Sequence, residues 1–318
     1  MENTSMVTTF ILTDFYKMED LKHLYFVIFL VLYITTVSLN CSLIGVIYTE
    51  SSLHSPMYIF VCNLACNGLY MSTFFLPSLI SNLMSHSYEV SLAYCLSQIF
   101  FLHTSGLVEL NVLAVMSYDR YVAICFPLDY HNRMSPAIAW KLIALSWCYP
   151  FVGFALYLIL TIRLTFCSRH IQKIYCVNFV LVKLSCTDTS INNIVGLTTI
   201  SVFMAPQIIM IIFSYALILY VCLHSSKNSK TKAIKTCTPH ILAVLNFCVG
   251  CFFEIIQSRF NLSFVIFGFR TFMSLYFFIF PPVLNPLIYG VSIQAIRERL
   301  VRLFNRMKGI SPNCITNK

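Results

Sequence analysis

The sequence predicts an all-α membrane protein, a seven-transmembrane helix bundle with a short amphipathic C-terminal helix. Three observations carry that expectation. The chain of 318 residues is 58% hydrophobic and 10% charged, with a mean hydropathy of +0.78, whereas apolar residues make up roughly 45–50% of a soluble domain. The excess falls in seven charge-poor runs, each able to cross a hydrocarbon core of about 30 Å. The Lys and Arg residues between the runs are shared unequally between alternate connections, as membrane topology requires.

The first run, 24–48, has no charged residue. It is too long for a signal peptide and lacks an obvious cleavage site, so it reads as a span that stays. The second, 57–83, is also uncharged, and the third, 95–118, carries only Glu109. The fourth (142–162), fifth (189–223) and seventh (271–291) are uncharged, and the sixth (233–253) is weaker, with Lys235 and His240 at its start. The chain thus divides into a tail of residues 1–23, a bundle over 24–291, and a terminal segment 292–318. In that segment "SIQAIRERLVRLF" sets Ile293, Ile296, Leu300, Leu303 and Phe304 on one face and arginines on the other, the pattern of a helix lying on a membrane.

Orientation follows from the basic residues. With the N-terminus outside, the cytoplasmic side holds Arg120, Arg133, Lys141, Lys227, Lys230, Lys232, Lys235, Arg297, Arg299, Arg302, Arg306, Lys308 and Lys318, the larger share of the 21 Lys and Arg. The basic balance therefore reads as topology and attraction to anionic lipid or an acidic partner, and not as nucleic-acid binding. The sequon at Asn3 faces the lumen in this orientation, as does a second at Asn261; Asn3 is the expected glycosylation site. Of the 14 cysteines, four fall outside the spans on the oxidising side: Cys95, Cys167, Cys176 and Cys186. An even number there points to two disulfides, whose pairing the spacing leaves open. No His lies at zinc-like spacing from them, so no metal is expected, nor any cofactor.

The third span ends in "MSYDRYVAIC", where Asp119 and Arg120 are adjacent. Arg120 falls about 37 Å along a helix from Cys95, at the cytoplasmic face. There the carboxylate can hold the guanidinium laterally as a latch, the plain alternative being an interfacial ion pair. The seventh span ends in "PPVLNPLIYG": Pro286 removes a backbone bond and kinks the helix, Asn285 can satisfy a freed carbonyl, and Tyr289 can swing between two packings. Glu109 lies about 16 Å from Arg120 near the bilayer midplane, where an ionisable residue is a functional candidate by default.

These motifs, with "LHSPMYIF" opening the second span, "FCSRHIQKIYCVNFVLVKLSCTDT" before the fifth, Ser214-Tyr215 within it and "KAIKTCTPH" opening the sixth, resemble the olfactory receptors among the rhodopsin-like G-protein-coupled receptors over nearly the whole chain. The resemblance implies a plasma-membrane receptor for a small organic odorant that activates a heterotrimeric stimulatory G protein and raises cyclic AMP. It also implies the pairing Cys95–Cys176 and Cys167–Cys186, and an activation switch of Glu109, Asp119, Arg120, Tyr215, Asn285, Pro286 and Tyr289. The chain departs from the family at Gly68, where many members carry an acid, and at Cys248, where an aromatic is common under the ligand.

The outer half of the third span presents Ile99, Leu102, His103, Gly106, Leu107 and Leu110 on one broad face. By family position, Gly196, Thr199, Ile200 and Phe203, then Cys251, Phe252 and Ile255, then Phe278 and the loop residue Asn178 would face it. Such a wall, mostly apolar with a few polar groups, suits a small-molecule pocket, though each apolar residue could equally be helix packing. Arg259, a turn beyond Ile255, is either a snorkelling interfacial arginine or a bidentate anchor for an organic acid. Other functions fit less well. No internal repeat or charged midplane site suggests a transporter, no charge ring a channel, and no nucleophile–base pair an enzyme.

Overall fold

The computed structural model describes residues 7–260 and 265–307, with the side chains of 258–259 and 303–307 left aside. Seven helices are long and apolar enough to cross a membrane. In chain order they are α1 (Lys22–Thr49), α2 (Pro56–Leu83), α3 (Leu92–Cys125), α5 (Pro136–Ile162), α7 (Ser190–Leu223), α8 (Lys227–Arg259) and α9 (Phe267–Ser292), with the short helices α4 (Tyr130–Arg133) and α6 (Asn178–Val182) between them and α10 (Gln294–Met307) last. Helix starts follow their local chemistry. Pro56 and Pro136 occupy first turns, where the missing N–H costs nothing, and Ser91 and Ser135 accept from the backbone N–H groups of Tyr94 and Ile138.

α3 is the central helix: 78% of its apolar window is buried, against 22% for α7. The exposed large side chains of α5 and α7, among them Leu145, Val152, Leu156, Ile209, Ile212 and Phe213, form the lipid-facing surface. α1 packs against α2 at Gly68, where an added Cβ would stand 3.0 Å from Asn40 Oδ1. The acid common at that position in the family would therefore displace Asn40.

The all-α expectation needs one addition. A three-stranded sheet in the order β2-β1-β3 covers the outer end. The N-terminal residues Thr9–Leu12 (β1) run antiparallel to Glu89–Ser91 (β2) and parallel to His170–Ile171 (β3). A 3-10 helix over Thr13–Leu21 continues inward. Phe10, Leu12, Phe15 and Met18 are all buried, so this segment is a packed cover and not a free tail. Tyr88 turns into β2 at φ 50°, its ring stacked on Phe15 at 5.3 Å. At the other end α10 docks by burying Ile296, with Arg299 Nη1 3.2 Å from Glu50 Oε1. Asn3, Asn261, Lys308 and Lys318, and the side chains of Arg259, Leu303, Phe304 and Arg306, lie outside the described residues.

Candidate functional site: an outer cavity and an inner ion-pair cluster

The outer half of the bundle encloses a cavity of ≈ 170 Å³. α3 supplies Leu102, His103, Gly106, Leu107 and Leu110 at helical spacing, while Ile99 points instead into the packed core. α7 adds Gly196, Thr199, Ile200 and Phe203, and α8 adds Cys251 and Ile255. Phe278 of α9 and Asn178 of α6 complete the part of the wall named by the sequence. The Phe203 ring lies against Gly153 of α5, where a Cβ would come within 2.0 Å of it.

The polar groups of the wall are held in place. His103 Nδ1 lies 2.8 Å from the Ile99 carbonyl, so Nδ1 carries the proton and donates, and the ring stacks on Phe154 at 4.7 Å. Asn178 accepts from the Thr161 hydroxyl at 2.9 Å and donates to the Tyr157 hydroxyl at 2.9 Å.

Three expectations are corrected. Phe252 is 69% exposed and off the wall, because one residue beyond Cys251 is about 100° around the helix. Cys248 is likewise exposed; the aromatic that α8 brings to the cavity is Phe247, packed edge-on against Phe277 at 5.5 Å. Glu109 is not the lone carboxylate among the helices, since Glu254 of α8 lines the cavity. Glu254 Oε1 pairs with Lys173 Nζ at 3.1 Å and its Oε2 accepts from the Ser274 hydroxyl at 2.7 Å. Tyr175, in the loop before α6, is 2.6 Å from Ser274 Oγ. Burial, and then the Glu254 charge, push the Tyr175 phenol well above its usual value, so it stays protonated and donates.

At the opposite end of the bundle from the cavity, Asp119 and Arg120 are both buried. Arg120 Nε donates to Asp119 Oδ2 at 3.0 Å, and Nη2 donates to the same oxygen. The Tyr130 hydroxyl donates to Asp119 Oδ1 at 2.7 Å. The carboxylate is thus held from both sides, and the arginine is held by its neighbour. Tyr215 of α7 hydrogen-bonds His240 Nδ1 of α8, whose Nε2 lies 2.9 Å from the Leu113 carbonyl of α3. His240 therefore ties three helices, a role its place at the weak start of the sixth run did not reveal. At the cavity end, Cys95 is bonded to Cys176 and Cys167 to Cys186.

Residues 29–307 match the family model described as "Olfactory receptor". The chain belongs to the olfactory receptor family. It is 36% identical over 310 residues to mouse (Mus musculus) olfactory receptor 5M5, covering 96% of this chain and 95% of that one. It is 34% identical over 311 residues to rat (Rattus norvegicus) olfactory receptor 1, covering 96% and 97%. Its fold is that of squid rhodopsin, with a TM-score of 0.73 over 91% of this chain and 87% of that one at 17% identity. It is thus a multi-pass membrane receptor and not an enzyme.

In this olfactory receptor a buried polar spine lies between the two ends. Asn285 Nδ2 donates to Glu109 Oε1 at 2.8 Å and so does not cap a freed carbonyl, as its position beside Pro286 had suggested. That task falls to Asn40. Pro286 lacks the N–H that would bond Pro282 four residues back, and Asn40 Nδ2 donates to the Pro282 carbonyl at 2.8 Å. Tyr289 is buried, its hydroxyl 4.0 Å from Met116 Sδ. Asn40→Ala should therefore leave a buried carbonyl unpaired and cost about 1–3 kcal/mol. A lowered melting temperature of the purified receptor checks this; an unchanged one would mean that the kink is held elsewhere.

Proposed function

We propose that this receptor binds a small organic odorant in the outer cavity and activates a stimulatory G protein at its inner face, raising cyclic AMP. It would sit in the plasma membrane with residues 1–23 outside and 292–318 in the cytoplasm, the side that carries most of the Lys and Arg. The observation that carries the reading is the cavity itself. It is enclosed by five long helices and the α6 loop, largely apolar, and lies at the opposite end of α3 from the buried Asp119–Arg120 pair. A ligand that draws α7, α8 and α9 together around it would act on the spine of Glu109, Asn285, Pro286 and Tyr289 beneath. That shift would reach Tyr215–His240 and then Arg120, opening α8 outward.

Filling the cavity tests the reading. Leu107→Trp puts an indole where the ligand would sit, and should abolish ligand-evoked cyclic AMP while surface density stays normal. An undiminished response in that variant would place the ligand site elsewhere. A response carried by another second messenger would retain the cavity and remove the stimulatory G protein.

A further inference from the structure

Lys173 is buried and Glu254 largely so at the cavity edge, with side-chain exposures of 8% and 14%. Lys173 comes from the loop that leads into α6, Glu254 from α8, and Ser274, which serves both, from α9. Burying two opposite charges is costly, and a well-packed apolar pair holds a fold at least as well. The pair is thus poorly explained by packing alone.

Its geometry is one-sided. Glu254 faces Lys173 on one flank and lines the cavity on the other, whereas Lys173 does not line the cavity. Among the described residues of the wall, Glu254 is the only Asp, Glu, Lys or Arg. Lys173 offers a primary ammonium whose donors reach Glu254 Oε1 at 3.1 Å, Ser274 Oγ at 3.0 Å and Tyr175 OH at 3.5 Å. An alkylamine carries the same head group, protonated at neutral pH as lysine is. It would approach Glu254 from the cavity side and lay its hydrocarbon against Leu102, Leu107 and Phe247. A carboxylate there would meet a like charge. The organic-acid reading rested on Arg259, whose side chain lies outside the described residues.

We propose that Glu254 makes this receptor selective for protonated amines, with Lys173 holding the ligand ammonium's place until one binds. This rests on reading the cavity as the ligand site. Displacing Lys173 frees Glu254 of α8 from the loop, while Tyr175 still holds Ser274 of α9 and Cys95–Cys176 keeps the loop on α3.

The experiment measures thermal protection of the purified full-length receptor by hexylamine, hexanol and hexanoic acid at neutral pH. Hexylamine should protect at concentrations at least about tenfold below hexanol, with hexanoic acid weakest. Glu254→Gln keeps an acceptor for Ser274 and should lose the amine advantage while still binding hexanol. The exchange Lys173→Glu with Glu254→Lys retains an ion pair between loop and α8, and should favour hexanoic acid over hexylamine. A purely structural pair would leave the ranking untouched in that exchange. Hexylamine no better than hexanol on the wild type, or a ranking unchanged in either variant, overturns the proposal. If hexanol protection then disappears in Leu107→Trp, the cavity reading stands and only amine selectivity falls; if it survives, the cavity reading falls too.

Discussion

Arg120→Ala is expected to abolish ligand-evoked cyclic AMP while ligand binding in the outer cavity persists. The residue sits near the C-terminal end of α3, buried, with two donors on Asp119 Oδ2. It lies about 16 Å further along α3 than Glu109, itself deeper than the cavity-lining Leu107. Removing one member of a buried, hydrogen-bonded pair costs about 3–5 kcal/mol. Asp119 would keep the Tyr130 hydroxyl, which bonds its other oxygen at 2.7 Å, so local folding retains an anchor. The companion change Asp119→Asn should act in the opposite sense. It weakens the hold on the guanidinium and should raise basal cyclic AMP. Surface labelling and ligand-induced thermal protection separate signalling from folding. A full cyclic-AMP response from Arg120→Ala at normal surface density would remove the residue from the mechanism.

Loss of the Cys95–Cys176 bridge should be the most damaging structural change. The bond ties the start of α3 to the loop that carries Tyr175 and Lys173, and both cysteines are fully buried. The Gln98 side chain accepts from the Cys176 backbone N–H at 2.8 Å, which sets the loop against α3. Disulfides in small secreted domains contribute about 2–5 kcal/mol, a scale that serves for this loop. The two bridges should differ. Cys95 and Cys176 are 81 residues apart, Cys167 and Cys186 only 19. In the chain-entropy account the longer closure is worth about 1 kcal/mol more. Cys95→Ser with Cys176→Ser should therefore all but eliminate surface receptor, and Cys167→Ser with Cys186→Ser should reduce it. Flow cytometry on unpermeabilised cells reads both; equal losses would set the entropic account aside.

The bundle was legible because hydrocarbon imposes a strong, local rule on each span: apolar over its length, with few charges. The seven runs and the seven long helices agree in number and order, with ends shifted by a few residues where Ser and Pro start helices beyond the apolar stretch. The face of each helix was less legible. α8 is apolar on several sides, so periodicity alone did not separate Cys251, which lines the cavity, from Phe252 and Cys248, which face outward. α3 was easier, because His103 and Gly106 mark one stripe.

Apart from the disulfides that the resemblance implied, partnerships across the chain were not legible. Lys173 and Glu254 are 81 residues apart and each, alone, reads as an ordinary loop or interfacial charge. Asn40 and Pro282 are 242 apart, and nothing local in either segment names the other. The short strands were hidden for the same reason: β1 reads as a strand only once β2 and β3 lie beside it.

The outer sheet has a consequence for the order of synthesis. The Thr13 hydroxyl donates to the Ile171 carbonyl, 158 residues later in the chain, and β1 needs β3 at the same place. At translation rates of about 5–20 residues per second, this segment waits roughly 8–30 s before its partner is made. During that interval Phe10, Leu12, Phe15 and Met18, buried in the finished receptor, have no native surface to cover them. A segment made early is thus among the last to fold, and its apolar side chains would be available to chaperones throughout the wait.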